Sequence, residues 1–101
     1  MAAYLIVEIE VHDPAGYEEY RRLASGTVRA HDGRYLVRGG ATEVLEGEWA
    51  PRRVVILEFP GVSRAKEWWS SEGYQKARAI RLRTAEARML LVEGAGTDQE
   101  K

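Results

Sequence analysis

Residues 34–59 read RYLVRGGATEVLEGEWAPRRVVILEF, and this stretch decides the fold. Two apolar runs, at 34–44 and 53–59, favour β-strands because residues such as Tyr35 and Val37 suit a pleated, half-buried surface. The segment EGEWAP between them is rich in turn-forming residues, which predicts that the two strands pair as an antiparallel hairpin. A strand and a helical region are predicted on each side of this pair.

On the N-terminal side the pattern predicts a strand followed by a helix. YLIVEIEV, at 4–11, is mostly apolar and is predicted to be a central strand. Asp13 and Pro14 then favour a helix start, with Asp as the N-cap and Pro at the first helical position. One face of this helix is marked by residues at helical spacing, namely Tyr17, Tyr20, Ala24 and Val28.

On the C-terminal side the pattern predicts two helical stretches and a last strand. Ser63 is predicted to cap a short helix that runs through Trp69, and Ser71 to cap a second stretch that runs to about Thr84. RMLLVE, at 88–93, is predicted to be the fourth strand.

The resulting order, βαββαβ, predicts a ferredoxin-like α+β sandwich with one four-stranded antiparallel sheet and the helices on one face. We expect residues 1–94 to form a single domain and residues 95–101 to form a flexible C-terminal tail. The sheet face without helices still carries large aliphatic residues in the first, third and fourth strands. Since such a face needs a cover, we expect a homodimer through the sheet.

Composition narrows the functional classes. The 101 residues carry a formal net charge of −1, which gives no electrostatic reason to expect nucleic acid or an anionic membrane as a partner. The third strand also has aliphatic residues and a glutamate where RNA-binding modules of this element order present aromatic residues. The first residues show neither a signal peptide nor a membrane span, so we expect a cytoplasmic location. With no cysteine and no histidine pair at ligand spacing, we expect no metal.

Four stretches taken together resemble a known family: HDGRYLVRGG, VLEGEWAPRRVVILEFP, WWSSEGYQKARAIRLR and LLVEG. They resemble the domain-of-unknown-function family 1330, and the similarity runs over residues 4–94. The resemblance implies a ferredoxin-like fold of the dimeric α/β-barrel group, in which two sheets face each other and the helices lie outside. Relatives in that group include small cofactor-free oxygenases and lactone isomerases, so the resemblance implies that any chemistry needs no cofactor. The family itself has no established activity.

Arg38 is the first candidate for a functional residue. An always-charged guanidinium beside an apolar strand needs water or a partner, and the predicted hairpin places Arg38 opposite Glu58. One interpretation is a partly exposed salt bridge on the sheet. The other is a cation at the edge of a pocket, with Tyr35 beside it. Gly39 and Gly40 favour the pocket because they let a ligand approach the backbone or mark a bulge.

Tyr74 and Arg81 are the second candidates. They are seven residues apart, so they share one helical face two turns apart, with the small Ala77 between them. Two interpretations are open: a core tyrosine with a snorkelling arginine, or a groove for a carboxylate-bearing ligand. The family resemblance matches both positions. Trp68 and Trp69 point about 100° apart around a helix, so one is expected to pack on the sheet and the other to line a cavity or to join an interface.

These observations predict a ligand pocket between sheet and helices, with the candidate residues Tyr35, Arg38, Glu58, Trp69, Tyr74 and Arg81. We expect the pocket to bind or transform a small anionic or aromatic metabolite without a cofactor. The alternative is a non-catalytic dimeric structural or interaction module, in which the same charged and aromatic residues only tie the sheet to the helices.

Overall fold

The computed structural model describes residues 1–96, and this part of the chain has the element order βαββααβ. The elements are β1 Ala3–Val11, α1 Pro14–Ala30, β2 Arg34–Arg38, β3 Arg53–Phe59, α2 Val62–Ser70, α3 Glu72–Thr84 and β4 Ala85–Glu93. The strands form one antiparallel sheet in the order β2-β3-β1-β4. This confirms the predicted ferredoxin-like α+β fold. Within the described residues, no helix combines the length and the apolar character that crossing a membrane requires.

The C-terminal end of the described chain is held against the N-terminus. The backbone nitrogen of Gly94 donates a hydrogen bond to the carbonyl oxygen of Ala2 at 2.7 Å. Most of the predicted tail, residues 97–101, lies outside the described residues. The division into a domain at 1–94 and a tail at 95–101 therefore stays a prediction.

Helix α1 begins as predicted. Asp13 Oδ1 accepts a hydrogen bond from the backbone nitrogen of Gly16 at 3.2 Å, and Pro14 is the first helical residue. The cap satisfies one of the backbone N–H groups that a helix start leaves without an internal partner. The predicted helical face is buried in full: Tyr17, Tyr20, Ala24 and Val28.

In the second helical region, the start of α3 agrees with the prediction and the start of α2 does not. Ser71 Oγ accepts a hydrogen bond from the backbone nitrogen of Tyr74 at 3.2 Å, so the predicted cap of α3 is confirmed. The predicted Ser63 cap is wrong. The backbone leaves the extended conformation at Gly61, and α2 begins at Val62, so Ser63 lies inside the helix.

The helices cover one face of the sheet and bury alternate residues of the two central strands. These residues are Leu5, Val7 and Ile9 of β1 and Val55, Leu57 and Phe59 of β3. From the helix side, Trp68 packs against Tyr74, with ring centroids 4.1 Å apart and ring planes tilted by 39°. The hydrophobic core therefore lies between the sheet and the helices.

Strand β2 is shorter than predicted, because it ends at Arg38 and not near Val44. Residues 39–52 contain no strand, so no tight turn fixes the register of the hairpin. The predicted Arg38–Glu58 pair is consequently wrong. Glu58 lies opposite Arg34, at the beginning of β2.

A β-bulge at Leu36 sets the direction in which β2 points its side chains. The observed pairs are Tyr35 with Leu57, Val37 with Ile56 and Arg38 with Val55. Because Leu36 is the extra residue, Tyr35 and Arg38 both point to the helix-covered face although they are three positions apart.

The opposite face, which we call the open face, has no helix over it. It carries exposed apolar side chains, with Ile6 42%, Leu90 60% and Val92 38% exposed. Its charged groups form ion pairs: Arg34 with Glu58 at 2.5 Å, Arg88 with Glu8 at 2.7 Å, and Arg52 with Glu10. The predicted aliphatic content of this face is therefore confirmed.

Candidate functional site

The structure divides the six predicted site residues between the two faces of the sheet. Glu58 lies on the open face, where it accepts a hydrogen bond from Arg34 Nε at 2.5 Å. The other five lie on the helix-covered side, but not in one group. Trp69 and Arg81 line one cavity and Tyr35 and Arg38 line another, while Tyr74 lies in the core.

Tyr74 is fully buried and does not open onto a groove. Its hydroxyl oxygen lies 3.1 Å from the hydroxyl oxygen of Tyr20 on α1. Burial, and to a smaller extent the neighbouring Tyr74, raises the pKa of Tyr20, which therefore stays neutral at ordinary pH. This hydrogen bond ties α1 to α3, and the groove predicted with a phenol at one end does not form.

Arg81, two turns further along α3, is buried without an acidic partner. Its side chain is only 6% exposed, and its Nε meets no hydrogen-bond acceptor among residues 1–96. No carboxylate of the described residues pairs with it. Its Cζ atom lies 5.9 Å from the ring centroid of Tyr20, the outer limit of a cation–π contact. Arg81 is thus a permanent cation in a poorly hydrated position.

An open pocket of about 590 Å³ lies between α2, α3 and β4, and we call it the Arg81 pocket. Its apolar lining comes from Leu5, Ala65, Trp69, Ala87, Met89 and Leu91. Its charged lining comes from Lys66, Arg78 and Arg81, and no acidic residue is among the described lining residues. The pocket therefore combines an apolar wall with positive charge.

The two adjacent tryptophans separate as predicted. Trp68 is buried against the core, and its Nε1 donates a hydrogen bond to Thr27 Oγ1 at 3.0 Å. Trp69 is 42% exposed and lines the Arg81 pocket. The guanidinium carbon of Arg78 lies 5.3 Å from the Trp69 ring centroid, so the ring has a cation on one side.

Tyr35 and Arg38 line a second cavity, enclosed by α1, β2 and β3, of about 30 Å³. That is roughly the volume of one water molecule. Its charged lining consists of Arg21, Arg38 and Arg53, so we call it the arginine cavity. Arg38 Nη2 donates a hydrogen bond to Ser25 Oγ at 2.7 Å, and its Cζ lies 4.1 Å from the Tyr35 ring centroid.

Sequence reasoning did not select Arg21 or Arg53. For Arg53 a signal was present, because it alternates with Val55 and Leu57 and so shares their buried face. Gly39 adopts a φ of +76°, and a side chain there would collide with the Arg53 guanidinium. The clearance predicted at this glycine is therefore used by Arg53 of the same chain.

Glu10, His12 and Glu86 form a group whose metal-ligand atoms lie within 4.8 Å of one another. Glu10 already pairs with Arg52, and His12 and Glu86 are exposed. Exposed carboxylates of this kind are not specific for a metal, and the absence of a metal cofactor stays a prediction.

The chain belongs to the family described as Domain of unknown function (DUF1330), whose model matches residues 2–95. The family resemblance of the sequence is thereby confirmed. A comparison with curated proteins finds no match.

Solved structures of low sequence identity share the fold. A protein of unknown function from Rhodopseudomonas palustris is 16% identical, with a TM-score of 0.76 over 92% of this chain and 82% of that one. A cofactor-independent oxygenase from Streptomyces nogalater is 10% identical, with a TM-score of 0.65 over 98% of both chains. A dimeric protein of unknown function with a ferredoxin-like fold, from Bacteroides fragilis, is 14% identical, with a TM-score of 0.56 over 92% of this chain and 96% of that one. At these identities the likeness establishes the fold alone.

Proposed function

We propose that the protein binds a small metabolite that carries a carboxylate on a flat apolar body, and that the Arg81 pocket is the binding site. The observation that carries this proposal is the buried guanidinium of Arg81, which has no acidic partner among residues 1–96. A neighbouring oxygenase of the same fold is compatible with a small-molecule site but does not identify the ligand.

The physical reason lies in the cost of an unpaired buried charge. Withdrawing a cation from water costs several kcal/mol even after the protein relaxes, and a carboxylate with good geometry offsets that cost. A guanidinium offers a planar fork of donors that matches a carboxylate with two parallel hydrogen bonds. Arg81 presents such donors at the wall of a pocket that supplies no carboxylate of its own.

The rest of the pocket supports an apolar, flat ligand body. Its volume, about 590 Å³, is within the range of small-molecule sites. Met89 and Leu91 form an apolar wall on the sheet side, and the half-exposed Trp69 ring supplies a surface for stacking. Lys66 and Arg78 add positive charge, which favours an anionic ligand over a neutral one.

The lining supports binding more than acid–base chemistry. No carboxylate or imidazole is among the described lining residues, so a general base is missing from the wall. Ser70, the hydroxyl of the lining, donates its proton to the carbonyl oxygen of Lys66 at 2.9 Å. The nearby Tyr20 phenol is bonded to Tyr74 and is kept neutral by burial.

We also propose that two copies of the chain pair through the open face as a homodimer. Ile6, Leu90 and Trp49 are exposed there, around a shallow apolar depression of about 450 Å³. The ion pairs of this face are closed within one chain, so a second copy would meet apolar groups and compensated charges. The neighbour from Bacteroides fragilis is described as dimeric, which supports the pairing of two copies but does not name the face.

Native mass spectrometry and calorimetry with a model ligand test both proposals. The homodimer predicts twice the 11.4 kDa of one chain. Benzoate, an aromatic carboxylate, should bind, and benzamide, its uncharged counterpart, should bind at least roughly tenfold more weakly because it lacks the charge.

The matched variants are Arg81→Met and Arg83→Met. Arg83 is an exposed arginine on the same helix and donates to the carbonyl oxygen of Ala79. Arg81→Met should abolish benzoate binding and Arg83→Met should leave it unchanged. Equal binding of benzoate and benzamide, or equal loss in the two variants, would contradict the Arg81 site. A dimer without any ligand would then be the non-catalytic structural or interaction module.

A further inference from the structure

A second group of arginines surrounds the arginine cavity, and none of them lines the Arg81 pocket. Outside the cavity, α1 and the end of β2 border a shallow, open cleft of about 630 Å³. Arg21 and Arg38 line both the cavity and the cleft, so they stand where the two meet. We propose that this cluster binds a compact dianionic oxyanion, a phosphate or the phosphoryl group of a phosphate monoester, at the mouth of the cavity.

Positive charge is in excess at this mouth. The described residues that line the cavity and the cleft include four arginines and two glutamates, namely Arg21, Arg22, Arg38, Arg53, Glu18 and Glu19. Of these glutamates Glu18 is paired, with Arg21 Nη1 at 2.7 Å. Like charges held together repel, and a dianion would compensate the two charges in excess.

Two hydrogen-bond donors of the cluster are buried and unused. The Nε atoms of Arg21 and Arg53 meet no acceptor among residues 1–96. A buried donor without an acceptor destabilises the folded chain, so an acceptor at this place is favoured. Phosphate oxygens are suited to it, because several guanidinium donors can share one tetrahedral anion.

The cluster is held in place before any ligand arrives. Ser25 Oγ accepts from Arg38 Nη2 at 2.7 Å and donates to the carbonyl oxygen of Arg21 at 2.8 Å. Arg38 also lies over the Tyr35 ring, and Arg53 lies against the backbone of Gly39. Because these side chains are already ordered, binding loses less conformational entropy.

The dimensions select the ligand class. A cavity of about 30 Å³ has no room for an aromatic ring, so the recognised group is compact and remains at the mouth. The cleft of about 630 Å³ can hold the organic part of an ester. The site therefore differs in ligand from the Arg81 pocket, which has an apolar wall.

Thermal unfolding in inorganic phosphate, compared with sodium chloride at equal ionic strength, is the first test. Phosphate should raise Tm by several degrees more than chloride, because it binds only the folded chain. Arg38→Gln and Arg53→Gln should weaken phosphate at least roughly tenfold. Arg34→Gln is the control, since Arg34 pairs with Glu58 on the open face, and it should keep the full effect. If Arg53→Gln fails to fold, the exposed Arg38 carries the test alone.

Phenyl phosphate identifies the source of the oxyanion. Tighter binding than inorganic phosphate indicates an ester with its ring in the cleft, and equal binding indicates free phosphate. In NMR spectra the Nε–H resonances of Arg21 and Arg53 should shift on phosphate addition. Arg81→Met should leave all these effects unchanged, which separates this site from the Arg81 pocket. A phosphate effect no larger than that of chloride, or one that survives Arg38→Gln, would overturn the proposal.

Discussion

The two faces of the sheet treat arginine in opposite ways. On the open face each arginine is matched by a glutamate: Arg34 by Glu58, Arg52 by Glu10 and Arg88 by Glu8. On the helix-covered side several arginines have no carboxylate partner among residues 1–96, including Arg38, Arg53 and Arg81. A formal net charge of −1 for the whole chain hides this division.

This difference in charge pairing indicates which face suits a second copy of the chain and which suits a small anion. A balanced, partly apolar face can meet its own copy without bringing like charges together. An unbalanced, cationic interior attracts anions, and its partly buried donors gain more from an anion than exposed donors would. The overall charge therefore gives no reason to expect nucleic acid as a partner, and it is compatible with the binding of small anions.

The largest expected effect compares one leucine from each face. Leu57, 3% exposed, lies under the helices, and Leu90, 60% exposed, lies on the open face. Leu57→Ala should lower the free energy of unfolding by about 2–5 kcal/mol because it leaves a cavity. Leu90→Ala should cost less than about 1 kcal/mol in the monomer, and it should lower the dimer fraction. Urea unfolding at two protein concentrations measures both, and similar losses at low concentration would contradict the contrast.

Alkaline pH should act on the helix side. Unfolded tyrosine ionises near 10.0, whereas burial raises the pKa of Tyr20 in the folded chain. The unfolded state thus releases a proton that the folded state keeps, so stability is unaffected below 10.0 and falls above it. At about pH 11 this loss is about 1.4 kcal/mol. Tyr20→Phe should remove this loss. The free energy of unfolding of wild type minus that of the variant should then be smaller at about pH 11 than at about pH 9. A difference that stays constant between these pH values would contradict the role of Tyr20.

Removing one arginine from each side should shift stability in opposite directions. Arg81→Met deletes an unpaired buried cation and keeps the apolar stem, so the ligand-free chain should gain on the order of 1 kcal/mol. Arg88→Met breaks an exposed pair with Glu8 and should lose about 0–1 kcal/mol. Chemical denaturation of both variants measures the signs. A clear loss for Arg81→Met would mean that the guanidinium stabilises the chain without a ligand.

The smallest expected effect is the loss of stability at acid pH that comes from Glu8 on the open face. A hydrogen bond from the backbone nitrogen of Arg52, followed by one from Arg88, lowers the pKa of Glu8 below its ordinary 4.5. The stabilisation that ionised Glu8 contributes is present above pH 4.5 and is lost as the pH falls through the lowered pKa of the folded state. Glu8→Gln should therefore reduce the drop in Tm between about pH 6 and about pH 3, and an unchanged drop would assign the loss of stability at acid pH to other groups.

The elements of this fold could be predicted from local signals, but the register could not. Asp13 and Ser71 predict the starts of two helices, because an N-cap hydrogen bond joins residues only three positions apart. The partner of Arg38 depends on the bulge at Leu36 and on the irregular residues 39–52, and neither has a turn signature. Counting residues across a regular hairpin therefore predicts Glu58 as the partner of Arg38, whereas Glu58 points to the open face.

The candidate site was predictable to the same degree. The spacing of Tyr74 and Arg81 correctly indicated one buried helical face. It could not reveal that Tyr20 takes the Tyr74 hydroxyl, since that partner lies 54 residues away in the chain. The spacing alone is therefore compatible with a groove that has a phenol at one end, whereas the Arg81 pocket is formed with Trp69 and β4.

The bulge at Leu36 shifts the alternation of side chains along β2 by one residue. One extra residue reverses the direction of every side chain that follows it, so Arg38 faces the helices and not the open face. Regular alternation from Tyr35 without the bulge would place Arg38 opposite Val54, and so on the open face, with no cation added or removed. The pairing register of a five-residue edge strand therefore decides whether this charge lies on the helix-covered side or on the open face.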